Sequence, residues 1–335
     1  MRGFRGRHFL TVQDYSKEEL MEIIHFSIEL KRAAKRGYET KLLKGKHLAM
    51  IFEEPSTRTR VSFEVGIAQL GGTAIFLKPG DIHLGARESI GDTTRVLSSM
   101  VDGIVTRLYK HTDLLEIAKH SSVPIINGLT DIRHPSQALA DAMTIYETLG
   151  TFENIKVSFF GDASCVCNSL VLICSILGIN LTVATPAKYA VKEDVRSVAL
   201  AHAARSGARI EFVQDPERAV DGSDIVYTDI WWWVDQEHEA ADRSVAMQSY
   251  QVTPQLMARA KPGARFMHCL PASRKLEATD EVLDAPYSII FAQAENRLHA
   301  QKGLMALLLQ DGGPDLPDEE RACVERLKGR MLRLA

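Results

Sequence analysis

A chain of 335 residues exceeds what one ordinary hydrophobic core supports, so two domains are expected. Its 45% hydrophobic and 25% charged residues are typical of a globular protein, and its net charge of −3 excludes a global field that recruits nucleic acid or an anionic membrane. No apolar run reaches transmembrane length, no secretory signal is expected, and five cysteines without a CxxC pair suit a reducing cytoplasm.

Strands and helices are predicted to alternate along the first 150 residues, from apolar periodicity and turn residues. The predicted strands span residues 47–52, 73–77, 103–107 and 123–126. The predicted helices span residues 15–37, 61–70, 89–100, 112–120 and 134–150. Because parallel strands need long crossover connections, this order predicts a parallel sheet flanked by helices.

The alternation restarts after Gly150-Thr151, which predicts a domain boundary there. The predicted strands span residues 155–160, 181–184, 209–213, 224–228 and 265–270. The predicted helices span residues 164–177, 191–205, 216–221 and 294–310, with a tail helix at about 318–334 after a Gly-Gly-Pro linker. The chain is therefore expected to be an α/β protein of two doubly wound parallel-sheet domains joined by interdomain helices, with an extra C-terminal helix.

The stretch Ser56-Thr57-Arg58-Thr59-Arg60 lies where the first predicted strand gives way to a helix. Free backbone N–H groups and the positive end of the helix dipole favour an anion such as a phosphate there. The hydroxyls add short-range donors and the arginines add forked ones. An N-cap on an ordinary surface helix is the alternative, but two arginines in a first turn oppose the dipole unless an anion is bound. We therefore predict an anion site.

A second candidate site begins at His134-Pro135-Ser136-Gln137. Pro135 suits the first helical position, so His134 and Gln137 are expected to project from a helix N-terminus, where they can contact an anion or a carbonyl. A capping residue beside an exposed histidine explains this tetrapeptide equally well.

Further marked residues follow the predicted strands. They are Gly161-Asp162, the run from Asp229 to Trp233, the run from His268 to Pro271, and Arg107 at the end of its strand. In an open α/β sheet, ligands bind beyond the carboxyl ends of the strands, so these residues are expected to converge. The sequence carries no Gly-x-Gly-x-x-Gly, Walker or HExxH motif, which disfavours a dinucleotide-dependent dehydrogenase.

Four motifs occur in order along the chain: Ser-Thr-Arg-Thr at 56–59, His-Pro-x-Gln at 134–137, His-Cys-Leu-Pro at 268–271 and Glu-Asn-Arg at 295–297. Their order and spacing resemble the carbamoyltransferase family over residues 11–309, and Asp229-x-Trp231 is similar to its ornithine branch. The aspartate branch is disfavoured because it has a second proline in place of Cys269.

The resemblance implies two domains with separate tasks. Residues 1–150, joined by C-terminal helices at about 298–335, would bind carbamoyl phosphate, and residues 151–297 would bind an amine. The enzyme would be a cytoplasmic homotrimer, or a multiple of trimers, that moves the carbamoyl group to a primary amine and releases phosphate. No metal or other cofactor is implied, and neither nucleic acid nor a membrane is an expected partner.

The family's site residues carry over by motif. The residues implied to act on the reacting groups are Arg58, Arg107, His134, Gln137, Cys269 and Arg297. These six are also implied to bind carbamoyl phosphate, together with Ser56, Thr57, Thr59, Leu270 and, from the neighbouring subunit, His83. Cys269 would orient and polarise, paired with Asp229, rather than act as a nucleophile. Arginines and hydroxyls would stabilise the developing negative charge, and positioning two substrates would supply much of the remaining acceleration.

The amine end departs from the ornithine pattern. Trp233 and Val234 stand where the ornithine branch has Ser and Met, and Cys165 stands where it has Asn, so two polar contacts to a zwitterion are missing. Buried charges without partners are costly. The amine-binding residues are therefore expected to be Asp229, Cys165, Trp233 and Val234, with a putrescine-like or ornithine-related acceptor.

The stretch from Gly161 to Ser169 and the tail helix resemble putrescine carbamoyltransferases, whose acceptor lacks an α-carboxylate. An apolar Trp232-Trp233 wall suits a methylene chain, whereas packing or a subunit contact is the alternative role for this run. The open candidates for a distal ammonium site are Glu237, Glu239 and Glu277. The alternative functions are an ornithine carbamoyltransferase of arginine metabolism and a catalytically silent carbamoyl-phosphate-binding protein.

Overall fold

The computed structural model describes residues 3–85 and 87–310. Its strands are β1 His47–Phe52, β2 Thr73–Leu77, β3 Gly103–Arg107, β4 Ile125–Leu129, β5 Lys156–Phe160, β6 Asn180–Ala184, β7 Ile210–Val213, β8 Ile225–Thr228 and β9 Arg265–His268. Its α-helices are α1 Lys17–Lys35, α2 Thr57–Gln69, α3 Ile90–Ser98, α4 His111–His120, α5 Pro135–Leu149, α6 Cys165–Leu177, α7 Glu193–Ser206, α8 Pro216–Val220, α9 Ala240–Met247, α10 Pro254–Met257, α11 Asp280–Leu283 and α12 Ile290–Leu309. The predicted tail helix lies outside the described residues.

The chain divides into two compact units, one made of Met1–Met143 with Asn296–Ala335 and the other of Thr144–Glu295. Both divisions fall inside helices, α5 and α12, so each of these helices contributes residues to both units. Each unit contains one parallel sheet. The predicted fold class, two parallel-sheet α/β domains, is confirmed.

The first unit is built on a four-stranded parallel sheet in the order β2-β1-β3-β4. The chain moves from β1 to one side and then to the other, so the strand order reverses beside β1. At such a point the connections diverge and leave a crevice outside the carboxyl ends of the strands. Phe52 and Arg107 are register partners at these ends, which places Arg107 next to the segment that leads into α2.

The second unit is built on a five-stranded parallel sheet in the order β7-β6-β5-β8-β9. Phe160 pairs with Thr228 at the carboxyl ends of β5 and β8, and Thr228 pairs with His268 at the end of β9. Three neighbouring strands therefore end side by side. The marked segments that begin at Gly161, Asp229 and Cys269 leave the sheet at one edge, as their positions after predicted strands indicated.

Local chemistry explains where the elements end. Gly178 and Gly207 follow α6 and α7 with φ values of 86° and 83°, the left-handed conformation that favours glycine as a helix stop. Strand β9 ends at His268, two residues earlier than predicted, because Leu270 has a φ of 60° that no strand residue adopts. Because Cys269 and Leu270 are apolar, the strand was predicted to continue to residue 270, and this predicted boundary was wrong.

Helix α6 forms the centre of the second unit. Every one of its thirteen residues is buried, including Cys165, Cys167 and Cys174. A helix that is buried all round belongs to a core, and these three cysteines are core thiols. Within residues 3–85 and 87–310, none of the helices combines the length and the apolarity that crossing a bilayer requires.

Candidate active site

The N-terminus of α2 is capped by a side chain, which is one of the two roles that its sequence allowed. Ser56 caps the helix, since its Oγ accepts a hydrogen bond from Thr59 N at 3.3 Å. Arg60 is exposed, donates from Nε to Glu64 Oε1 at 3.1 Å, and places its guanidinium carbon 3.7 Å from the centroid of the Phe76 ring. The two arginines of the stretch therefore differ, because Arg60 is held on the surface by its own partners.

A buried polar network joins three of the predicted site residues in the first unit. Arg297 is only 2% exposed and donates from Nη2 to Thr59 Oγ1 at 2.9 Å and from Nη1 to Gln137 Oε1. Gln137 in turn donates from Nε2 to Asp141 Oδ1 at 2.8 Å. Because α2, α5 and α12 each supply a member, the network fixes the orientation of the Arg297 guanidinium before any ligand is present.

His134 immediately precedes α5 and is buried. Burial, together with the positive charges of Arg297, Arg107 and Arg58, holds the pKa of the His134 imidazole well below its ordinary value. The ring is therefore neutral at pH 7, with its Nδ1 3.3 Å from Ser136 Oγ. A neutral imidazole among three guanidinium groups can form a hydrogen bond to a carbonyl without adding a fourth charge.

Arg107 ends β3 with its side chain buried. Its Nη2 lies 3.2 Å from Glu54 Oε2, so an ion pair crosses the carboxyl ends of β1 and β3. The adjacent Glu53 accepts a hydrogen bond from Tyr109 N at 2.7 Å. This glutamate pair partly offsets the positive charge that the arginines concentrate at the edge of the first sheet.

Thr57 and His83 differ from the other predicted residues of the first unit because both are solvent-exposed. Thr57 is the first residue of α2, and His83 lies in the connection between β2 and α3. Neither belongs to the buried network around Arg297.

Asp229 organises the predicted site of the second unit. It is 2% exposed, and its Oδ1 accepts hydrogen bonds from Ile230 N at 2.8 Å and from Cys269 Sγ at 2.9 Å. Its Oδ2 accepts from Ser164 Oγ at 3.2 Å. Three donors from three segments hold the carboxylate in one orientation, and the Cys269–Asp229 pairing implied by the family resemblance is present as a hydrogen bond.

The three consecutive tryptophans have different surroundings. Trp231 is 1% exposed and packs against Tyr189 and Met247. Trp232 and Trp233 are half-buried. The expectation that at least one tryptophan of the run serves packing is confirmed by Trp231.

The remaining predicted amine-binding residues lie near the ends of β5 and β8 in sequence. Cys165 is 3% exposed and is the first residue of α6. Val234 follows Trp233 and begins a short 3₁₀ helix, Val234–Glu239, but its side chain lies outside the part of the chain that the structure describes. Cys165 therefore contributes an apolar thiol where Asp229 contributes a carboxylate.

A buried guanidinium anchors the tryptophan segment. Arg243 Nη1 donates to Trp231 O at 3.0 Å and lies 3.3 Å from Asp162 Oδ2, while Nε donates to Glu239 Oε2 at 2.9 Å. The guanidinium carbon lies 4.5 Å from the centroid of the Tyr189 ring. Burial raises the pKa of Asp162 to about 6, against the opposing effect of Arg243. Arg243 thus ties the segment after β8 to the segment after β5.

The three glutamates that were candidates for a distal ammonium site differ in burial and in their partners. Glu239 is paired with Arg243, and Glu277 is fully buried with its Oε1 3.1 Å from His268 Nε2. Glu237 is exposed. Two of the three candidates are therefore already committed to contacts inside the second unit.

Asp229, His268 and Cys269 offer oxygen, nitrogen and sulfur ligand atoms that all lie within 4.8 Å of one another. This donor set suits a zinc ion. Each residue already serves hydrogen bonds inside the protein, however, since Cys269 donates to Asp229 and both His268 ring nitrogens have partners. A metal ion would have to break these bonds to enter.

Three residues of the two sites were not predicted. Asp141 lies one helical turn after Gln137, so i,i+4 spacing on α5 could have identified it. Ser164 occupies the N-cap position of α6, which is a weak signal. Arg243 pairs with Glu239 at i,i+4 spacing, which is a local signal, but its contacts with Trp231 and Asp162 arise only in the tertiary fold.

Comparisons with known proteins identify the family of the chain. A family model described as "Aspartate/ornithine carbamoyltransferase, carbamoyl-P binding domain" matches residues 7–147, and one described as "Aspartate/ornithine carbamoyltransferase, Asp/Orn binding domain" matches residues 153–308. Ornithine carbamoyltransferase of Pyrococcus abyssi is 49% identical over 92% of this chain and 97% of its own length. Putrescine carbamoyltransferase of Mycoplasma capricolum is 47% identical over 97% of this chain and 91% of its own length. The structure of ornithine carbamoyltransferase from Pyrococcus furiosus matches with a TM-score of 0.89 and 48% identity, over 91% of this chain and 97% of that one.

Proposed function

Because the chain belongs to the aspartate/ornithine carbamoyltransferase family and is a carbamoyltransferase, we propose that it transfers the carbamoyl group of carbamoyl phosphate to a small diamine of the putrescine class. The observation that carries the donor half is the buried Arg297–Thr59–Gln137 network beside a neutral His134. These donors are oriented by the protein itself, which is the condition for stabilising charge that develops during a reaction.

The donor phosphate would bind at the N-terminus of α2, where Ser56, Thr57, Arg58 and Thr59 lie, with Arg107 on the neighbouring strand. The carbamoyl oxygen would accept hydrogen bonds from His134, Thr59 and Arg297, and Gln137 would orient Arg297. A neutral amine then attacks the carbamoyl carbon, a tetrahedral oxyanion forms, and the carbon–oxygen bond to phosphate breaks as the nitrogen passes a proton to the leaving phosphate. The guanidinium groups stabilise both negative charges as they develop.

The acceptor would bind in the second unit, with Asp229 receiving its ammonium end and Cys269 orienting the pair. Cys165 and Trp233 are apolar where a zwitterion needs donors, and an α-carboxylate buried without a partner is costly. The buried guanidinium of this region, Arg243, already serves Asp162, Glu239 and the Trp231 carbonyl. A methylene chain beside Trp232 and Trp233 is therefore favoured over ornithine. Ornithine remains the second candidate because relatives of both names match this chain almost equally.

A panel of amines tests the proposal. Putrescine, agmatine, ornithine, lysine and acetylated ornithine are each mixed with carbamoyl phosphate, and ureido product and phosphate are measured. Putrescine is expected to give the highest kcat/KM. Arg58→Ala is expected to abolish turnover with every amine, because it removes a phosphate contact shared by all reactions.

The matched variant is Trp233→Ser, which is expected to shift the ratio of kcat/KM for ornithine over putrescine at least tenfold while preserving carbamoyl phosphate binding. Equal losses for all amines would contradict the role of Trp233. Calorimetric binding of a bisubstrate phosphonate without turnover of any amine would establish the alternative of a silent carbamoyl-phosphate-binding protein.

The assembly and setting belong to the same proposal. His83 is exposed in this chain, and it would complete the phosphate site of a neighbouring subunit in a homotrimer. The described cysteines, Cys165, Cys167, Cys174 and Cys269, are buried and not disulfide-bonded to one another, which supports a reducing cytoplasm. Arginine and polyamine metabolism is the setting that both relatives' substrates support.

A further inference from the structure

The segment after β9 contains an unusual backbone. Leu270 has a φ of 60°, and it is one of three non-glycine residues with positive φ among residues 3–85 and 87–310. This left-handed conformation is unfavourable for a γ-branched side chain, so it persists only where the surroundings impose it. Strained backbone of this kind clusters at functional sites, and Leu270 follows Cys269 directly.

The side chain of His268 contacts the backbone of Leu270. Leu270 N donates a hydrogen bond to His268 Nδ1 at 2.9 Å. A backbone N–H can only donate, so Nδ1 must be the unprotonated nitrogen and the ring proton must lie on Nε2. His268 Nε2 therefore donates to Glu277 Oε1 at 3.1 Å. The three residues form a relay from a buried carboxylate through an imidazole to the backbone.

The carboxylate and the imidazole of this relay are both held by further hydrogen bonds. Glu277 is fully buried, its Oε1 also accepts from Ser273 N, and its own carbonyl accepts from Val252 N at 2.9 Å. His268 is fully buried, and its backbone N–H donates to Gln293 Oε1 at 2.9 Å. The imidazole therefore cannot turn without breaking both of its hydrogen bonds, to Leu270 N and to Glu277 Oε1, and each loss would leave an unsatisfied buried group.

We propose that Glu277 and His268 are positioning residues: Glu277 holds His268 in the Nε2–H tautomer, and His268 Nδ1 holds the Leu270 backbone so that the Cys269-Leu270 turn is set for the carbamoyl group. This inference rests on the proposed function for the role of the turn. It also gives Glu277 a role within the second unit, because its buried Oε1 contacts both His268 Nε2 and Ser273 N.

Two substitutions of His268 separate positioning from general packing. In His268→Asn the amide oxygen can take the place of Nδ1 and accept from Leu270 N, whereas in His268→Gln the polar group extends to the position of Nε2 and leaves Leu270 N without an acceptor. His268→Asn is expected to retain at least tenfold more kcat than His268→Gln, with the same ratio for every amine. Equal activities, or the reverse order, would overturn the proposal.

The control is Asp224→Asn, which lies at the amino ends of the strands of the same sheet. Asp224 Oδ2 accepts from Lys156 N at 2.8 Å, so this carboxylate also holds a backbone N–H, but at the amino end of β5. Its substitution is expected to leave kcat within about twofold of the unmodified enzyme at equal thermal stability. A comparable loss of kcat in this control would show that any weakened contact in the unit lowers activity.

Glu277 is tested through the imidazole itself. Nitrogen-15 NMR of the unmodified enzyme is expected to show the Nε2–H tautomer of His268. The Glu277→Gln variant keeps an acceptor oxygen, so the same tautomer is expected to persist and kcat to fall less than fivefold. In Glu277→Leu the tautomer is expected to mix and kcat to fall at least twentyfold. An Nδ1–H tautomer in the unmodified enzyme would overturn the relay.

The NMR result does not depend on turnover, so it tests the relay even if no amine in the panel is carbamoylated, which would instead reject the proposed function. If Glu277→Leu fails to fold, the two His268 variants and the tautomer of the unmodified enzyme still decide the outcome.

Discussion

At the scale of single residues, burial shifts protonation in opposite directions in the two units. His134 loses its tendency to charge, because desolvation and three neighbouring guanidinium groups act together. Asp162 is harder to ionise, because desolvation outweighs its attraction to Arg243. Both effects follow from removing a titratable group from water, and neither can be assigned from the residue type alone.

The shifted pKa of Asp162 predicts a pH dependence of stability. The folded state holds this proton up to about pH 6, whereas an unshifted aspartate loses it near 3.8. Between these values the folded state binds more protons than the unfolded state, so the contribution of Asp162 to stability falls as pH rises through the window. This difference between the folded and the unfolded pKa of Asp162 corresponds to roughly 3 kcal/mol in the free energy of unfolding.

Asp162→Asn is therefore expected to remove most of this slope when the free energy of unfolding is measured between pH 4 and 7. Asp284→Asn, at an exposed aspartate, serves as the control and should leave the slope unchanged. Parallel pH profiles for the unmodified protein and Asp162→Asn would reject the assignment.

At the scale of elements, helix α12 combines tight packing with a polar buried face. Arg297 and Lys302 are both buried on it, and burial lowers the pKa of Lys302 to about 8, while its Nζ donates to Gln69 Oε1 at 2.8 Å. One turn of α12 also lies close to α1. A Cβ added to Gly303 would come within 2.0 Å of Ser27 Oγ and 3.1 Å of the Ser27 Cα.

Gly303→Ala is expected to destabilise the protein by about 1–3 kcal/mol, because the two backbones must separate to admit the methyl group. Thermal unfolding measures the effect. Ser27→Ala in the same chain removes the closest atom and should restore part of the loss. A Gly303→Ala protein as stable as the unmodified one would show that α1 and α12 can separate without cost.

At the scale of the whole molecule, each sheet brings candidate residues from distant parts of the chain to the carboxyl ends of its strands. The first unit assembles Arg107, His134 and Arg297 around the start of α2, and the second assembles Asp229 and Cys269. His83 takes no part in the buried network of its own unit. In the proposed trimer, this exposed histidine would serve a neighbouring subunit.

Mixed assemblies test this arrangement. His83→Ala and Arg58→Ala are each expected to be inactive alone. If each site takes Arg58 from one subunit and His83 from the next around a closed ring, random reassembly of an equal mixture restores about a quarter of the sites. Phosphate release measures the recovery. No recovery, with mixed trimers shown by native mass spectrometry, would mean that His83 acts within its own subunit.

The sequence predicts structure where the signal is local. Periodicity predicts the strand–helix alternation, and a run such as Ser56 to Arg60 indicates a helix N-terminus. The sequence does not predict a conformation that depends on distant partners. Leu270 is an apolar residue of the kind found in strands, yet its backbone is left-handed. Its N–H is held by His268, which Glu277 orients. Arg60 and Arg58 look equivalent in sequence, yet Glu64 and Phe76 hold Arg60 at the surface.

By itself the sequence determined the two-sheet α/β architecture, since apolar periodicity and helix-start chemistry act over a few neighbours, and its family resemblance supplied the candidate residues of both sites. Only the tertiary structure decided that Arg297 is oriented by Thr59 and Gln137, and that Glu277 contacts His268. These contacts join residues far apart in the chain, and their energies depend on burial, which arises only when the whole unit has folded.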